Sequence, residues 1–270
     1  GVGFAELTAN TSGANNVAIG MQALQANTTA SNNAAVGYQA GYSNTTGTRL
    51  TILGTQAGYL TTGDDNTLLG FNAGYTVTSG TANTYVGRSA GSTNAVATGS
   101  NNVALGYQSL TNNTTASNNI AVGYQAAYAN TTGQIDAIGF QAGYNNTTGA
   151  SNVAIGQNSL FTNVTGVGNT SLGYQSGYYS TGANNTFLGL LSGYLITTGS
   201  KNTIVGSYSG NQGGLDIRTL SNYLVLSDGD GNPRIYHNGT TVVIPSLPTS
   251  ASGLPTGGLW KDASGFLKVA

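Results

Sequence analysis

Few side chains in this chain are suited to chemistry, and their spacing suits none of the common reactions. The 270 residues contain one histidine, His237, and no cysteine, and the eight acidic residues are Glu6 and seven aspartates. Glycoside cleavage needs two carboxyl groups facing each other across a sugar. Asp64 and Asp65 are adjacent, and neighbours in an extended chain point apart. A serine nucleophile needs a base beside it, and no nucleophile motif surrounds any serine. The stretch DGDGN, Asp228 to Asn232, begins like a calcium loop, but Pro233 and Arg234 follow and no Glu stands at the twelfth loop position. It reads as a hairpin turn. His237 and its symmetry mates could face a metal ion on a trimer axis, yet structural sites want four ligands and no second His is near. The expectation is a protein that is not an enzyme and holds neither metal nor cofactor.

Composition narrows the function further. Asp, Glu, Lys and Arg make up 6% of the chain, against about 25% in average proteins. The surface must therefore be wetted by amides and hydroxyls. A formal net charge of −1, without clusters of Lys and Arg, argues against nucleic acid as a partner. No run approaches the ~18 apolar residues of a membrane span, so membrane insertion is not expected. Residue 1 is a Gly inside a repeat, which points to a fragment or a processed product.

The elements that position any surface come from that repeat. A glycine recurs at Gly3, Gly20, Gly37, Gly54, Gly70, Gly87, Gly106, Gly123, Gly139, Gly156, Gly173, Gly189 and Gly206, at intervals of 16 to 19 residues. The residue before each is aliphatic, from Val2 and Ile19 to Leu188 and Val205, and is expected to face a dry interior. Three residues after each glycine stands Ala or Ser, as in Ala23, Ala142 and Ser192, with only Glu6 departing. That position leaves room for a methyl or a hydroxyl. A unit of about 17 residues is too short for two helices and is rich in poor helix formers. Two short strands with turns between them fit, stacked as a β-solenoid with coils about 4.8 Å apart. The fold class expected is all-β, with about 12–13 short coils in a rod on the order of 60 Å long.

Three further rows repeat. Asn stands four residues before the glycine in ten units, with Leu50 and Ile135 as exceptions. Asn tolerates the left-handed conformation of a tight corner, and stacked amides can bond from coil to coil. Aromatic residues stand five after it, from Tyr42, Tyr59 and Tyr75 to Tyr194, and one after it, as in Tyr38, Phe71, Tyr107 and Tyr124. Such rows bind sugars by stacking or pack with a buried ring and a wet hydroxyl, and packing is the commoner use. Thr pairs in NTTA and NTTG corners, such as Thr28-Thr29 and Thr147-Thr148, raise a remote alternative of ice binding, since rungs about 4.8 Å apart could match a lattice.

One coil of this length encloses a thin core, and something must cover the remaining apolar surface. A parallel homotrimer would do so, with the Tyr rows and the Ala/Ser row as contact surfaces. Units such as NNVAIG and NNVALG resemble the repeats in head domains of trimeric autotransporter adhesins, which implies a left-handed β-roll assembled as a trimer. The run from 185 to 236, NNTFLGLLSGYLITTGSKNTIVG continuing through GGLDIRTLSNYLVLSDGDGNPRIY, is more similar to bacteriophage tail-fibre proteins. Many such fibres end in a self-cleaving chaperone domain, and this chain shows none.

After Gly206 the composition changes. All four prolines, the only Trp and the only His lie beyond residue 200, and a solenoid interior excludes proline. The expected organisation is a repeat shaft over 1–210, a β-rich neck over 211–246 and an extended linker with a C-terminal hairpin tip over 247–270. YLVLSDGDGNPRIYHNGTTVVI predicts strands with turns at DGDGNP and HNGT. LWKDASGFLKVA predicts a hairpin closed around DASG. Binding surfaces favour aromatic anchors outside the positions a repeat dictates, so Trp260, Tyr236 and His237 are the receptor-binding candidates. The function expected is a structural tail fibre on the virion surface, in contact with other virion proteins and with a host receptor that is a glycan or a surface protein. The head of a bacterial surface adhesin is the alternative.

Overall fold

The computed structural model describes residues 1–93 and 95–270. All regular structure among the described residues is β. Twelve short strands follow the repeat: β1 Val17–Ile19, β2 Ala34–Val36, β3 Thr51–Leu53, β4 Thr67–Leu69, β5 Thr84–Val86 and β6 Val103–Leu105, then β7 Ile120–Val122, β8 Ile135–Ile138, β9 Asn152–Ile155, β10 Thr170–Leu172, β11 Thr186–Leu188 and β12 Thr203–Val205. Each pairs in parallel with the next, in register, so that equivalent residues of successive units lie side by side. This is a β-solenoid, as the period predicts.

Each coil holds one strand, where two were expected. The opposite side is a run of turns in which alternate residues are left-handed, as at Gln22 (φ 62°) and Leu24 (φ 48°). Alternation of hand keeps the chain extended enough to bond to both neighbours. Gln22 N–H donates to the Phe4 carbonyl of the coil before at 2.9 Å, and Leu24 N–H to the Ala40 carbonyl of the coil after at 3.0 Å.

A three-residue strand has one inward position. It is the residue two before the glycine, from Ala18, Ala35 and Ile52 to Phe187 and Ile204, all at most 2% exposed. The aliphatic row just before the glycine was expected inside and instead faces outward. Leu53 is 52% exposed and Leu172 48%, because side chains alternate along a strand. The Ala/Ser row three after the glycine is fully buried from Ala23 through Ser192, so it lines the core and is not a contact surface.

In about two thirds of the coils the core is filled by exchange between two rows; Ala35 with Gly41, Ala137 with Gly143 and Ser171 with Gly177 are small on both sides, and Leu24 and Ile52, Ile135, and Leu160 and Phe187 reach in beside them. Where the strand contributes Ala18, Ala104 or Ala154, the residue four after the glycine is Leu24, Leu110 or Leu160. Where it contributes Ile52, Leu68, Tyr85 or Phe187, that residue is Gly58, Gly74, Gly91 or Gly193. A Cβ on Gly91 would lie 2.3 Å from the Tyr85 ring, and one on Gly193 2.4 Å from Phe187. The recurrent glycine itself has φ between +108° and +146°, a region closed to side chains, and a Cβ on Gly54 would lie 2.3 Å from the Gly70 carbonyl oxygen.

Buried amides clip one coil to the next. Asn102 Oδ1 accepts the backbone N–H of Asn119 at 3.0 Å, and its Nδ2 donates to the Ala116 carbonyl at 3.0 Å. The same pair of bonds recurs at Asn83, Asn169 and Asn185. The left-handed corner residue is the one before this row, as at Asn32 (φ 63°) and Asn118 (φ 61°). Removing the amide in Asn102→Ala leaves buried groups without partners, at about 1–3 kcal/mol each. Denaturant unfolding is expected to show a loss of about 2–4 kcal/mol per chain on that basis. An unchanged midpoint would mean the amide row does not hold the coils.

The sheet runs past the boundary expected near residue 211. β13 Asn211–Gln212 and β14 Leu215–Asp216 form a small inserted hairpin, after which β15 Leu224–Ser227 stacks in parallel on β12 as a further coil. Val225 fills its inward position and is fully buried. β16 Pro233–His237 then pairs antiparallel with β15, and β17 Val242–Val243 with β16, which ends the stack with a reversed edge. β18 Leu259–Lys261 and β19 Leu267–Val269 form a separate hairpin around the DASG turn.

Candidate interaction surface

The outward side of β1 to β12 carries three rows that run the length of the stack. The row before the glycine is aliphatic throughout. The row three before it includes Val17, Thr51, Thr84, Ile120 and Thr186, and the row after it includes Phe4, Met21, Tyr38, Phe71, Tyr124, Phe140 and Leu190. Of these, Phe4, Met21, Tyr38, Phe71, Tyr124, Phe140 and Leu190 are exposed. Four residue rises across and twelve coil spacings along give a face of about 800 Å². Thr in half of the row three before the glycine, with Thr55 and Gln157 in the row after it, leaves roughly two thirds of the face apolar, at the upper end of the about 300–600 Å² of the largest patch on a typical monomer. The face has the size of one partner's share of a stable protein interface, about 800 Å².

Two charges interrupt it. Arg88 takes the place of an aromatic ring, its guanidinium carbon 5.7 Å from the Phe71 ring centre and 5.6 Å from that of Tyr107. The stack therefore continues through a cation–π contact on both sides. Asp136 stands in β8 between Ile120 and Val153 of the neighbouring strands.

The other aromatic row stacks on itself. Tyr42 and Tyr59 lie 4.9 Å apart with planes 2° from parallel, Tyr59 and Tyr75 likewise at 4.9 Å, and Tyr128, Tyr144, Phe161 and Tyr178 continue at 5.0 to 5.2 Å. Ring faces so covered by one another are not open to sugars along the row. The first Thr of the Asn-Thr-Thr corners is also engaged: Thr114, Thr131 and Thr147 hydroxyls each donate to the carbonyl of the next coil at 3.1 Å.

Burial pushes the hydroxyls of Tyr85 and Tyr208 above the ordinary tyrosine range, and burial also raises Tyr59, Tyr144 and Tyr178. A group whose folded pKa is raised contributes stability that is intact below its unfolded pKa, about 10 for tyrosine, and lost as pH rises through the folded value. The melting temperature is expected to hold from pH 6 to pH 9 and to fall steeply between pH 10 and pH 12. A flat curve to pH 12, followed by circular dichroism, would show that these phenols are not buried.

The carboxylates serve as local ties. Asp65 holds Arg49 of the preceding coil through two bonds, and Asp64 accepts the Thr48 N–H at 2.7 Å and its hydroxyl at 3.0 Å. Asp228 accepts the backbone N–H groups of Asp230 and Asn232 and pairs with Arg234, which makes DGDGN a hairpin turn. The Asn232 backbone N–H, with Arg234 beside it, holds the Asp228 carboxyl below the usual range. No group of three or more His, Cys, Asp or Glu among the described residues is placed to hold a metal ion.

The three receptor-binding candidates do not converge in one site. Tyr236, in β16, lies opposite Val225 and packs against the end of the core. His237 follows it on the same strand and accepts the Gly239 N–H at its Nδ1 at 3.1 Å. Trp260 belongs to the β18–β19 hairpin, half-buried, with an Nε1 that is enclosed and has no acceptor. Around it Leu259, Phe266, Leu267 and Val269 are exposed. No protein-family model matches the chain, and neither the curated proteins nor the solved structures contain a match.

Proposed function

We propose that the chain is the shaft of a homotrimeric tail fibre, standing on the surface of a phage particle and holding a receptor-binding end away from it. The observation that carries this is the outward strand face, where an unbroken aliphatic row from Val2 to Val205 and the exposed side chains of Phe4, Met21, Tyr38, Phe71, Tyr124, Phe140 and Leu190 stand with nothing in one chain to cover them. Parallel copies in register bring each row against its own equivalent, and a rod whose face has one pattern throughout is suited to that symmetry. The C-terminal hairpin supports the same arrangement, since a lone two-stranded hairpin is marginal in water and its apolar side chains need partner copies. In this reading the faces of the trimer that remain wet are the Thr and Asn corners, poor in charge, and the distal segment with Trp260, Tyr236 and His237 meets the host receptor. The likeness of residues 185–236 to tail-fibre repeats points to a phage. Electron microscopy of particles labelled with an antibody to this chain is expected to place the label on fibres. Label confined to the surface of bacterial cells would instead favour the adhesin head.

A further inference from the structure

The last coil departs from the repeat at one corner. Thr197-Thr198-Gly199 is followed, one coil on, by Arg218-Thr219-Leu220, with Thr197 N–H and hydroxyl both donating to the Arg218 carbonyl at 2.8 and 3.2 Å. Stacking at this corner therefore uses only the backbone of residue 218 and leaves its side chain free for another task. The inserted β13–β14 hairpin ends at Asp216 and brings that carboxylate to the guanidinium. Arg218 Nε donates to Oδ1 at 3.0 Å, Nη2 to Oδ2 at 2.7 Å, and the Arg218 backbone N–H to Oδ1 at 3.2 Å. Between the pair and the coil before lies a groove of about 320 Å³, lined by Thr197, Asp216, Arg218, Thr219 and Leu220. That is within the lower range of small-molecule pockets, about 300–1,000 Å³.

We propose that this groove binds a neutral saccharide through Asp216 and Arg218. The proposal rests on reading the chain as an attachment fibre. A guanidinium has five N–H donors and Asp216 engages two of them, so further donors stand beside a carboxylate that still has lone pairs to offer. That fork matches a vicinal diol, one hydroxyl accepting from Arg218 and its neighbour donating to Asp216. The paired charges cancel, which gives no preference for an anion. Leu220, 43% exposed, offers an apolar edge to the C–H face of a sugar ring, and the Thr197 and Thr219 side chains border the remaining hydroxyls.

The test uses the whole assembled chain on an array of neutral and acidic oligosaccharides, with Asp216→Asn, Arg218→Lys and, as a control at an ion pair elsewhere, Asp65→Asn. The wild type and the control are expected to bind one or more neutral glycans, and both groove variants to bind about tenfold less or weaker, the effect of losing a charge-assisted hydrogen bond. Absence of neutral binding, binding of acidic glycans alone, or undiminished binding by both groove variants would overturn the proposal. Light scattering on each sample separates the two readings. Assembled trimers without sugar binding contradict the groove and leave the fibre standing, whereas chains that never assemble contradict the fibre itself.

Discussion

Leu172→Asp is expected to abolish assembly while leaving the single chain able to fold. Leu172 is 48% exposed in one chain and lies between Ile155 and Leu188 on the outward face. In an isolated coil the carboxylate would simply be wet. In a trimer that closes this face, three carboxylates in its central row would be desolvated without partners, at several kcal/mol each, unlike the native Asp136, which stands in a row at its edge. Light scattering at micromolar concentration should show a species of one chain's mass, with the circular dichroism of the wild type. Thr148→Asp, at an exposed corner, is the control and should assemble normally. Normal assembly of the Leu172 variant would mean that this face is open in the fibre.

The second large effect concerns the exchange that fills the core. Tyr85→Ala removes a ring that is 2% exposed and should cost about 3–5 kcal/mol per chain. Adding Gly91→Leu reproduces the arrangement of the next coil, where Ala104 is opposite Leu110. Leu110 has a φ of 51° and Gly91 one of 59°, so the new side chain meets a backbone that leucine already adopts in this protein. Burial of a leucine returns about 2 kcal/mol, less about 1 kcal/mol for the left-handed conformation that glycine adopts freely. The double variant should therefore be about 1 kcal/mol more stable than Tyr85→Ala alone, measured by denaturant unfolding. A double variant less stable than the single one would show that the two rows do not share one volume.

That exchange also explains what could be read in advance. The period was legible because the backbone at Gly54 and Gly70 leaves no room for a Cβ, which forces glycine into every copy but the last. The Ala/Ser row was legible as a tight position for the same steric reason. The strand's inward row was not, because Ala18, Tyr85 and Phe187 share no property until each is set beside its partner four residues after the glycine, and Ser171 stays small even beside Gly177. Nothing in the sequence places the aliphatic row on the outside: uniform apolarity reports burial somewhere, and here one chain does not supply the cover. The turn-built side escaped notice because Gln22 and Leu24 carry no mark of a left-handed backbone. The last coil was hidden by its inserted hairpin and by Ser227 in place of the glycine. Aromatic character singled out Tyr236, which packs against the core, whereas Asp216 and Arg218 converge only through the inserted hairpin.

The most direct measurement is the mass of the intact chain in solution, by sedimentation equilibrium across a hundredfold range of concentration. The outward face predicts that the chain is not a monomer, and the proposed fibre sets the mass at three times the 27.1 kDa of one chain, without dissociation at the lowest concentration. A folded species of 27.1 kDa throughout that range would contradict it.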